Sequence, residues 1–515
     1  IAAIIAVIIG LVLLLGGIYL AVLGGSWYYI IAGLLFIATA VLLQKLKSTA
    51  LIVYALLVLG TVVWGLWEVG SDFFALAPRL DILGLFGLWL LIPAVTRGFD
   101  NAKSAKLVLT GSLAITIAVM IYAVFNDPQE IRGELSSKQP ATAQSIPGVA
   151  DGDWPAYGRT QSGLRYSPLT QINSENVKDL KVAWTYNTGD FKTENDSGET
   201  TNQVTPIKVG DNMYICTTHQ KLVALDPATG KAKWTFDPKL KADNTFQHLT
   251  CRGVSYYDAN NTAGFEASLQ HKKSSSALCP RKVILPVNDG RLVAINADTG
   301  ERCTDFGKNG EVDLQKDMPF PYPGGYIPTS PPVVTGTTII IAGSTTDNYS
   351  TEEPSGVIRG YDVNTGALLW VFDTGAEDPN AIPAPGQKYV QNSPNAWAPL
   401  AYDAALDIVY IPTGVGTPDI WGGNRTELHE RYANSMLALN ASTGKLVWNF
   451  QTTHHDLWDM DVPSQPTLTD IKDKSGKMVP AIYVLTKTGN AFVLDRRTGA
   501  AIVPITEKPV PQTVK

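Results

Sequence analysis

The octapeptide HHDLWDMD, His454 to Asp461, holds two of the six histidines of the chain and three carboxylates. Three kinds of chemistry suit such a cluster: a metal cage, a surface charge cluster, or a general base with helpers. Zinc-type spacing is absent from it, and no C-x-x-C occurs in the chain, which argues against a thiolate zinc site. His454 and His455 therefore read as residues that orient the loop, and Asp456 as a turn or network acid. Asp459 is the candidate base. Asp461 follows two residues later, and in a strand the two carboxylates face the same way, so Asp461 tunes the base or approaches a metal. Lys487, in VLTKTGN, lies between apolar strand residues and a Thr-Gly turn. An ammonium there is costly without an anionic partner.

The elements that must position these residues occupy the second part of a divided chain. Residues 1–125 are almost wholly apolar, whereas 151–515 have soluble composition. Five apolar segments, 2–23, 27–43, 49–67, 82–96 and 107–125, predict a five-helix transmembrane anchor; the fourth is short for a hydrocarbon core of about 30 Å. Four further segments follow the first and no small-residue cleavage site is apparent, so the first reads as an anchor rather than a signal peptide. Lys45 and Lys47 follow the second segment, and Arg97, Lys103 and Lys106 follow the fourth. The loops after the first and third carry only Arg79 against three acids. The positive-inside rule then places the basic loops in the cytoplasm and everything after residue 125 outside it, in the periplasm of a bacterium. The formal net charge is −6 and there is no Lys/Arg-rich run, which gives no support to a nucleic-acid partner. All four cysteines, Cys216, Cys251, Cys279 and Cys303, lie in the outer part. An oxidising compartment allows disulfides, and Cys251 with Cys279, which bracket a polar insertion, is the favoured pair.

Residues 126–150 are rich in Pro, Ser and Ala and read as a linker. Beyond them a unit recurs: LVALDPATGKAKW, LVAINADTGERCT, IRGYDVNTGALLW, MLALNASTGKLVW and AFVLDRRTGAAIV. Each has an alternating strand, an Asp or Asn, a Thr-Gly turn and a second strand. The turn glycines Gly230, Gly300, Gly366, Gly444 and Gly499 recur every 55 to 78 residues. Such repetition argues for the blades of a β-propeller with large insertions. The Asp or Asn bonds the turn backbone, and in three repeats a Trp follows the Gly by four residues, placed to pack flat between neighbouring blades. Five copies do not close a ring, so either the chain is truncated or a partner completes it.

The Asp–Thr-Gly–Trp repeat resembles the tryptophan-docking motif of quinoprotein dehydrogenases, and DWPAYGRTQSGLRYSPLTQIN (153–173) resembles the entry segment of their eight-bladed propeller. The five apolar segments, with TNQVTPIKVG, FQHLTCRGV, PVNDGRLVAINADTG, NSPNAWAPLAYD, GTPDIWGGNRT and HHDLWDMD, narrow the likeness. It is to the membrane-bound, pyrroloquinoline quinone (PQQ)-dependent glucose dehydrogenases of bacteria, and it covers essentially the whole chain. The family's chain runs on past residue 515, so this sequence resembles its first two-thirds, and an open ring of that kind is expected to be inactive.

The resemblance implies roles. Trp397 resembles the floor under the cofactor plane, as a broad aromatic suits a flat π-system, and His248 resembles the cover of its other face. Arg252 is similar to the partner of a PQQ carboxylate, where a planar fork bonds in two places. Lys487 resembles the cation on the quinone oxygens. Asp347, Asn348 and Thr417 resemble ligands of a divalent cation, Mg²⁺ or Ca²⁺, which prefers oxygen and polarises a carbonyl as a Lewis acid; Thr417 also lines the cofactor. Gln203 stands where some relatives carry an acid; the amide keeps hydrogen bonding and drops a charge near the cofactor.

The implied reaction is oxidation of an aldose at C1 to the lactone. Asp459 removes the hydroxyl proton, PQQ accepts the hydride, and ubiquinone in the membrane takes the electrons. A membrane quinoprotein for quinate or a cyclic polyol would use the same base and cofactor. A non-enzymatic propeller scaffold shares the docking repeat but leaves Lys487, Asp459 and the anchor unexplained. Oligomeric state is not legible.

Overall fold

The computed structural model describes residues 1–126, 128, 145–146, 148–196, 198–240, 245–259, 279–473 and 475–507. The chain forms two units, Ile1–Pro140 and Ala141–Lys515. The expected linker 126–150 falls largely outside the described residues, as does most of the polar insertion after Cys251.

The first unit is helical. Four helices are long and apolar enough to cross a membrane: Ala2–Val22, Thr49–Val69, Phe73–Leu91 and Ala102–Phe125. A fifth, Tyr28–Gln44, has 17 residues, and Pro93–Thr96 adds a single turn. Tyr54, Phe36, Phe86 and Leu109 are buried among them. Ala2–Val22 and Tyr28–Gln44 approach closely at Gly33, where an added Cβ would lie 2.6 Å from the Leu14 amide nitrogen; small residues allow such backbone contact.

The expected fourth segment, 82–96, is corrected here. The helix starts at Phe73 because Asp72 caps it, accepting the Ala75 N–H at 3.0 Å. Pro78 and Arg79, which read as loop residues, lie inside the helix, and Arg79 is neutralised by Glu68 at 2.8 Å. The shortest of the five is thus the second helix rather than the fourth, and Arg79 and Asp81 leave the loop whose charge entered the orientation argument.

The second unit is all-β and built as successive blades. Strands Ile207–Val209, Asn212–Cys216, Leu222–Leu225 and Ala232–Phe236 form the first antiparallel sheet in chain order. Sheets of four strands follow over 255–313, 333–372 and 401–451, and one of three over 467–495. The inner strands are buried on both faces, as Leu222–Leu225 and Ile408–Pro412 show, so neighbouring blades share cores; Val283, Leu285 and Ile295 of the second blade pack with Ile207, Tyr214 and Leu222 of the first.

The repeat motif is the joint between blades. Asp226 accepts the N–H groups of Ala228 and Thr229 and the Thr229 hydroxyl; Asp362 and Asn440 bond their own turns alike. Gly444 has φ +69°, and a Cβ on it would stand 2.4 Å from the Trp370 ring of the preceding blade. Gly300 meets Trp234, and Gly499 meets Trp448, in the same way. Trp370 and Trp448 donate their indole N–H to the Ala441 and Arg496 carbonyls at 3.0 Å. Gly366 faces Gly307 instead, because the preceding repeat ends at Thr304. Trp184 docks on Gly230; it precedes the first full repeat and so lies outside the periodicity.

The expected Cys251–Cys279 pair is overturned: Cys216 bonds Cys251, and Cys279 bonds Cys303. Sequence bracketing misled because the sheet decides the partners. Cys216 ends the second strand of the first blade and Cys279 precedes the second strand of the next.

The entry segment crosses one end of this unit. Gln161 and Ser162 offer carbonyls to Tyr402 and Leu468, both at 2.9 Å, and Trp154 pairs with Lys208. Long stretches between the blade strands carry the candidate residues: 342–357 holds Asp347 and Asn348, 373–400 holds Trp397, 413–434 holds Thr417, and 452–466 holds Asp459 and Asp461.

Candidate active site

The 452–466 insertion is shaped by Asp456. Its buried carboxylate accepts the Trp458 N–H at 2.8 Å, the Met460 N–H at 2.5 Å and the Asn434 side-chain amide at 2.8 Å. The turn so formed puts Asp459 in the left-handed region, φ +56°. Residues 459–461 are not a strand, so the period-two argument for the two carboxylates does not apply. They converge for another reason: Lys487 Nζ lies 2.8 Å from Asp459 Oδ2 and 3.0 Å from Asp461 Oδ2. The histidines sit apart, His454 on Gln451 and Glu507, and His455 on Glu430.

Asp461 is the hub. It is 6 % exposed and accepts the Trp397 indole N–H at 2.9 Å and the Val415 N–H at 3.2 Å as well as the Lys487 ammonium. Gly414 lets it approach, since a Cβ there would be 2.4 Å from Asp461 Oδ1. The half-buried Trp397 ring therefore has a fixed orientation. Two cations lie over it, Arg252 at 5.1 Å and Lys487 at 5.6 Å from the ring centroid. Arg252 is held by the Thr329 hydroxyl and carbonyl.

His248 and Asp347 adjoin one another at 3.3 Å. The other ring nitrogen of His248 is 3.2 Å from Glu199. The Asp347 hydrogen bond and charge, with Glu199, outweigh burial and raise the imidazole pKa. Gln247 braces the same strand end, accepting the Asp347 N–H at 2.7 Å. Asn348 is exposed, and its carbonyl oxygen accepts the Ile420 N–H at 3.2 Å. Thr417 is buried. Gln203 is exposed, and among the described residues its side chain makes no hydrogen bond.

Asp419, two residues beyond Thr417, is a functional candidate that the motif GTPDIWGGNRT contains but that its spacing does not mark. It is 5 % exposed. Burial first, then the charges of Asp347, Asp461 and Asp459, push its carboxyl up to about 9. The same forces act on Asp459: burial and the Asp461 charge push it up to about 6 against the lowering effect of Lys487. Burial disfavours the charge on Lys487, but Asp461 and Asp459 prevail and raise its pKa. Four carboxylates, Asp347, Asp419, Asp459 and Asp461, thus share one electrostatic neighbourhood with one lysine among them.

This arrangement fits a flat, multiply anionic molecule on Trp397 and a hard cation beside it. The indole face with Arg252 and Lys487 over it supplies a stacking surface and positive charge. The buried oxygens Thr417 Oγ1, Asp419 Oδ1 and Asn395 Oδ1 have no hydrogen-bond partner among the described residues; buried polar atoms left so are unusual. Oxygen donors suit Mg²⁺ or Ca²⁺. Among the described residues no group of three His, Cys, Asp or Glu is arranged to hold a metal, so a cation here would need neutral oxygens as well as carboxylates.

A tryptophan-docked propeller carrying such a platform falls in the class of β-propeller dehydrogenases. Residues 154–515 match the family model "PQQ: Glucose/ethanol/alcohol dehydrogenase, beta-propeller domain", and the chain belongs to that family. It is 74 % identical over 512 residues to quinoprotein glucose dehydrogenase A of Acinetobacter calcoaceticus and 58 % identical over 512 residues to the quinoprotein glucose dehydrogenase of Escherichia coli K12. Each match covers 99 % of this chain but only 64 % and 63 % of those relatives. It is 38 % identical over 520 residues to the quinate/shikimate dehydrogenase (quinone) of Acinetobacter baylyi, covering 98 % of this chain and 63 % of that relative. Among solved structures it is similar to the quinohemoprotein alcohol dehydrogenase of Comamonas testosteroni, with TM-score 0.53 and 27 % identity over 72 % of this chain and 52 % of that one.

Proposed function

We propose that the protein is a membrane-anchored quinoprotein dehydrogenase that oxidises D-glucose and related aldoses at C1 to the lactone and delivers electrons to ubiquinone. The observation that carries the reading is the convergence on Trp397: two cations over the ring, Arg252 and Lys487, and Asp459 on Lys487 at 2.8 Å. The names of the relatives at 74 % and 58 % identity support the aldose.

PQQ, when bound, supplies the two-electron oxidising capacity that the protein side chains lack. Trp397 offers its ring face to the cofactor, Arg252 and Lys487 compensate its negative charge, and His248 and Thr417 line it. Asp347, Thr417 and Asn348 hold Mg²⁺ or Ca²⁺, with Asp419 as a further oxygen donor. Asp459 takes the proton of the C1 hydroxyl. Its carboxyl, pushed up to about 6, is ionised at neutral pH yet basic enough to accept that proton. Lys487 holds Asp459 in place and bridges it to Asp461.

On this reading five helices anchor the protein in the bacterial inner membrane, the short Tyr28–Gln44 included, and the propeller, eight-bladed when complete, stands in the periplasm. Titration of the full-length gene product with PQQ and Mg²⁺, followed by a dye-linked assay with glucose and with quinate, tests it. Glucose turnover that appears with PQQ is expected. Turnover with quinate alone would transfer the protein to the quinate class, and saturable PQQ binding with no turnover of either would contradict the reading.

A further inference from the structure

Arg425 is a buried charge that the proposed reaction leaves unused. Its side chain is 4 % exposed. One guanidinium nitrogen, Nη2, donates to the Pro418 carbonyl at 2.9 Å and the Asp419 carbonyl at 2.7 Å. The other, Nη1, donates to the Asp456 carbonyl. Glu430 stands at 3.7 Å, beyond hydrogen-bond reach. Main-chain carbonyls from two insertions hold the guanidinium directly, and the nearby charges of Glu430, Asp456 and Asp419 partly offset its burial.

Both segments lead directly to the site. Pro418 and Asp419 follow Thr417, and the buried Asp419 Oδ1 has no hydrogen-bond partner among the described residues. Asp456 precedes Asp459 by three residues and fixes the turn between them through the Trp458 and Met460 N–H groups. Contacts thus run without a break from the oxygen donors, through the guanidinium, to the turn that aims Asp459. The planar fork of an arginine suits carbonyls in several directions, whereas an ammonium is a single point charge on a flexible stem.

We infer that Arg425 is a positioning residue, a staple that sets Asp459 at its working distance from the Thr417 and Asp419 oxygens. The inference rests on the reading of Asp459 as the base. A displacement of about 1 Å in such a constellation costs on the order of 100-fold in rate.

The test uses the full-length gene product loaded with PQQ and Mg²⁺, carrying Arg425→Lys. Turnover per bound PQQ is expected to fall by about 100-fold, with KM for glucose within about threefold of the parent. The acid limb of kcat/KM is expected to move, because the Asp459–Lys487 contact shifts with the turn. Where Arg425→Lys does not fold, Arg425→Ala is assayed with added guanidinium or ammonium ion; partial rescue by guanidinium alone supports the staple. Unchanged turnover per bound PQQ overturns it, as does failure of both variants to fold, which would make Arg425 a general structural residue. Asp459→Asn is run alongside. Full activity in that variant removes the base and the staple together, whereas its inactivity beside a normal Arg425→Lys removes the staple alone.

Discussion

Lys487 Nζ lies 2.8 Å from Asp459 Oδ2 and shares its charge with Asp461 Oδ2 at 3.0 Å. One lysine between two carboxylates, one of which also holds the Trp397 indole, couples the proposed base to the proposed cofactor platform. The balance among these charges sets the pH at which the base works.

That balance predicts a pH profile. As the proposed base, Asp459 must be unprotonated to act, and its carboxyl is pushed up to about 6. The kcat/KM for glucose is therefore expected to fall as pH drops through about 6, by about tenfold per unit below it. Asp461→Asn removes the charge that helps to raise this pKa, so the limb moves to lower pH. Lys487→Met removes the lowering partner and moves it higher. Profiles of the two variants measured side by side check the signs; a shift in the same direction for both would contradict the assignment.

The raised pKa of Asp419, about 9, makes a statement about stability. Its native value lies above the ordinary carboxylate range of an unfolded chain, so folding favours the protonated form. The native state then holds the extra proton between those values, and stability declines as pH rises through about 9. A bound divalent cation would take the proton's place. Thermal unfolding in EDTA is expected to fall in Tm from pH 6 toward pH 9, and Mg²⁺ is expected to raise Tm more at the upper end. Asp419→Asn should flatten the pH slope; an unaltered slope would show that this carboxyl does not carry it.

The blade joint predicts a local loss of stability. At Gly444 φ is +69° and a Cβ would sit 2.4 Å from the Trp370 ring, so Gly444→Ala both strains the backbone and overpacks the joint. The expected cost is about 1–3 kcal/mol, read as a lower midpoint in urea. Ser442→Ala serves as the control: Ser442 is exposed in the same turn, and a surface change of this kind should stay within about 0.5 kcal/mol. Equal losses in the two variants would show that the joint is not what Gly444 protects.

Much of this was legible in the sequence, and the exceptions share a cause. The Thr-Gly repeat announces the blades because its turn and its Trp contact are both local in chain and fixed in spacing. The motif residues Trp397, Arg252, Lys487 and Asp459 were named from short stretches, and their contacts through Lys487 and over the indole ring are seen in the structure. The disulfide partners were not legible, since Cys216 and Cys251 meet through sheet packing rather than through chain proximity. The start of the helix at Phe73 was hidden because Arg79 reads as a loop charge until Glu68 is seen beside it. Asp419 escaped because its distinction is its surroundings, and no spacing rule marks a carboxylate that will be buried among three others. The placement of Asp459 and Asp461 was anticipated for the wrong reason, since a left-handed residue rather than strand alternation turns them toward Lys487.

The central claim, that Asp459 is the base beside a PQQ platform on Trp397, is tested most directly by a PQQ titration of the full-length gene product and of its Asp459→Asn variant. Cofactor binding is followed by tryptophan fluorescence and turnover by dye-linked glucose oxidation. Both proteins are predicted to bind PQQ with affinities within about threefold, and the variant to lose on the order of 10²–10⁴ in turnover. Near-normal turnover in Asp459→Asn would contradict the account.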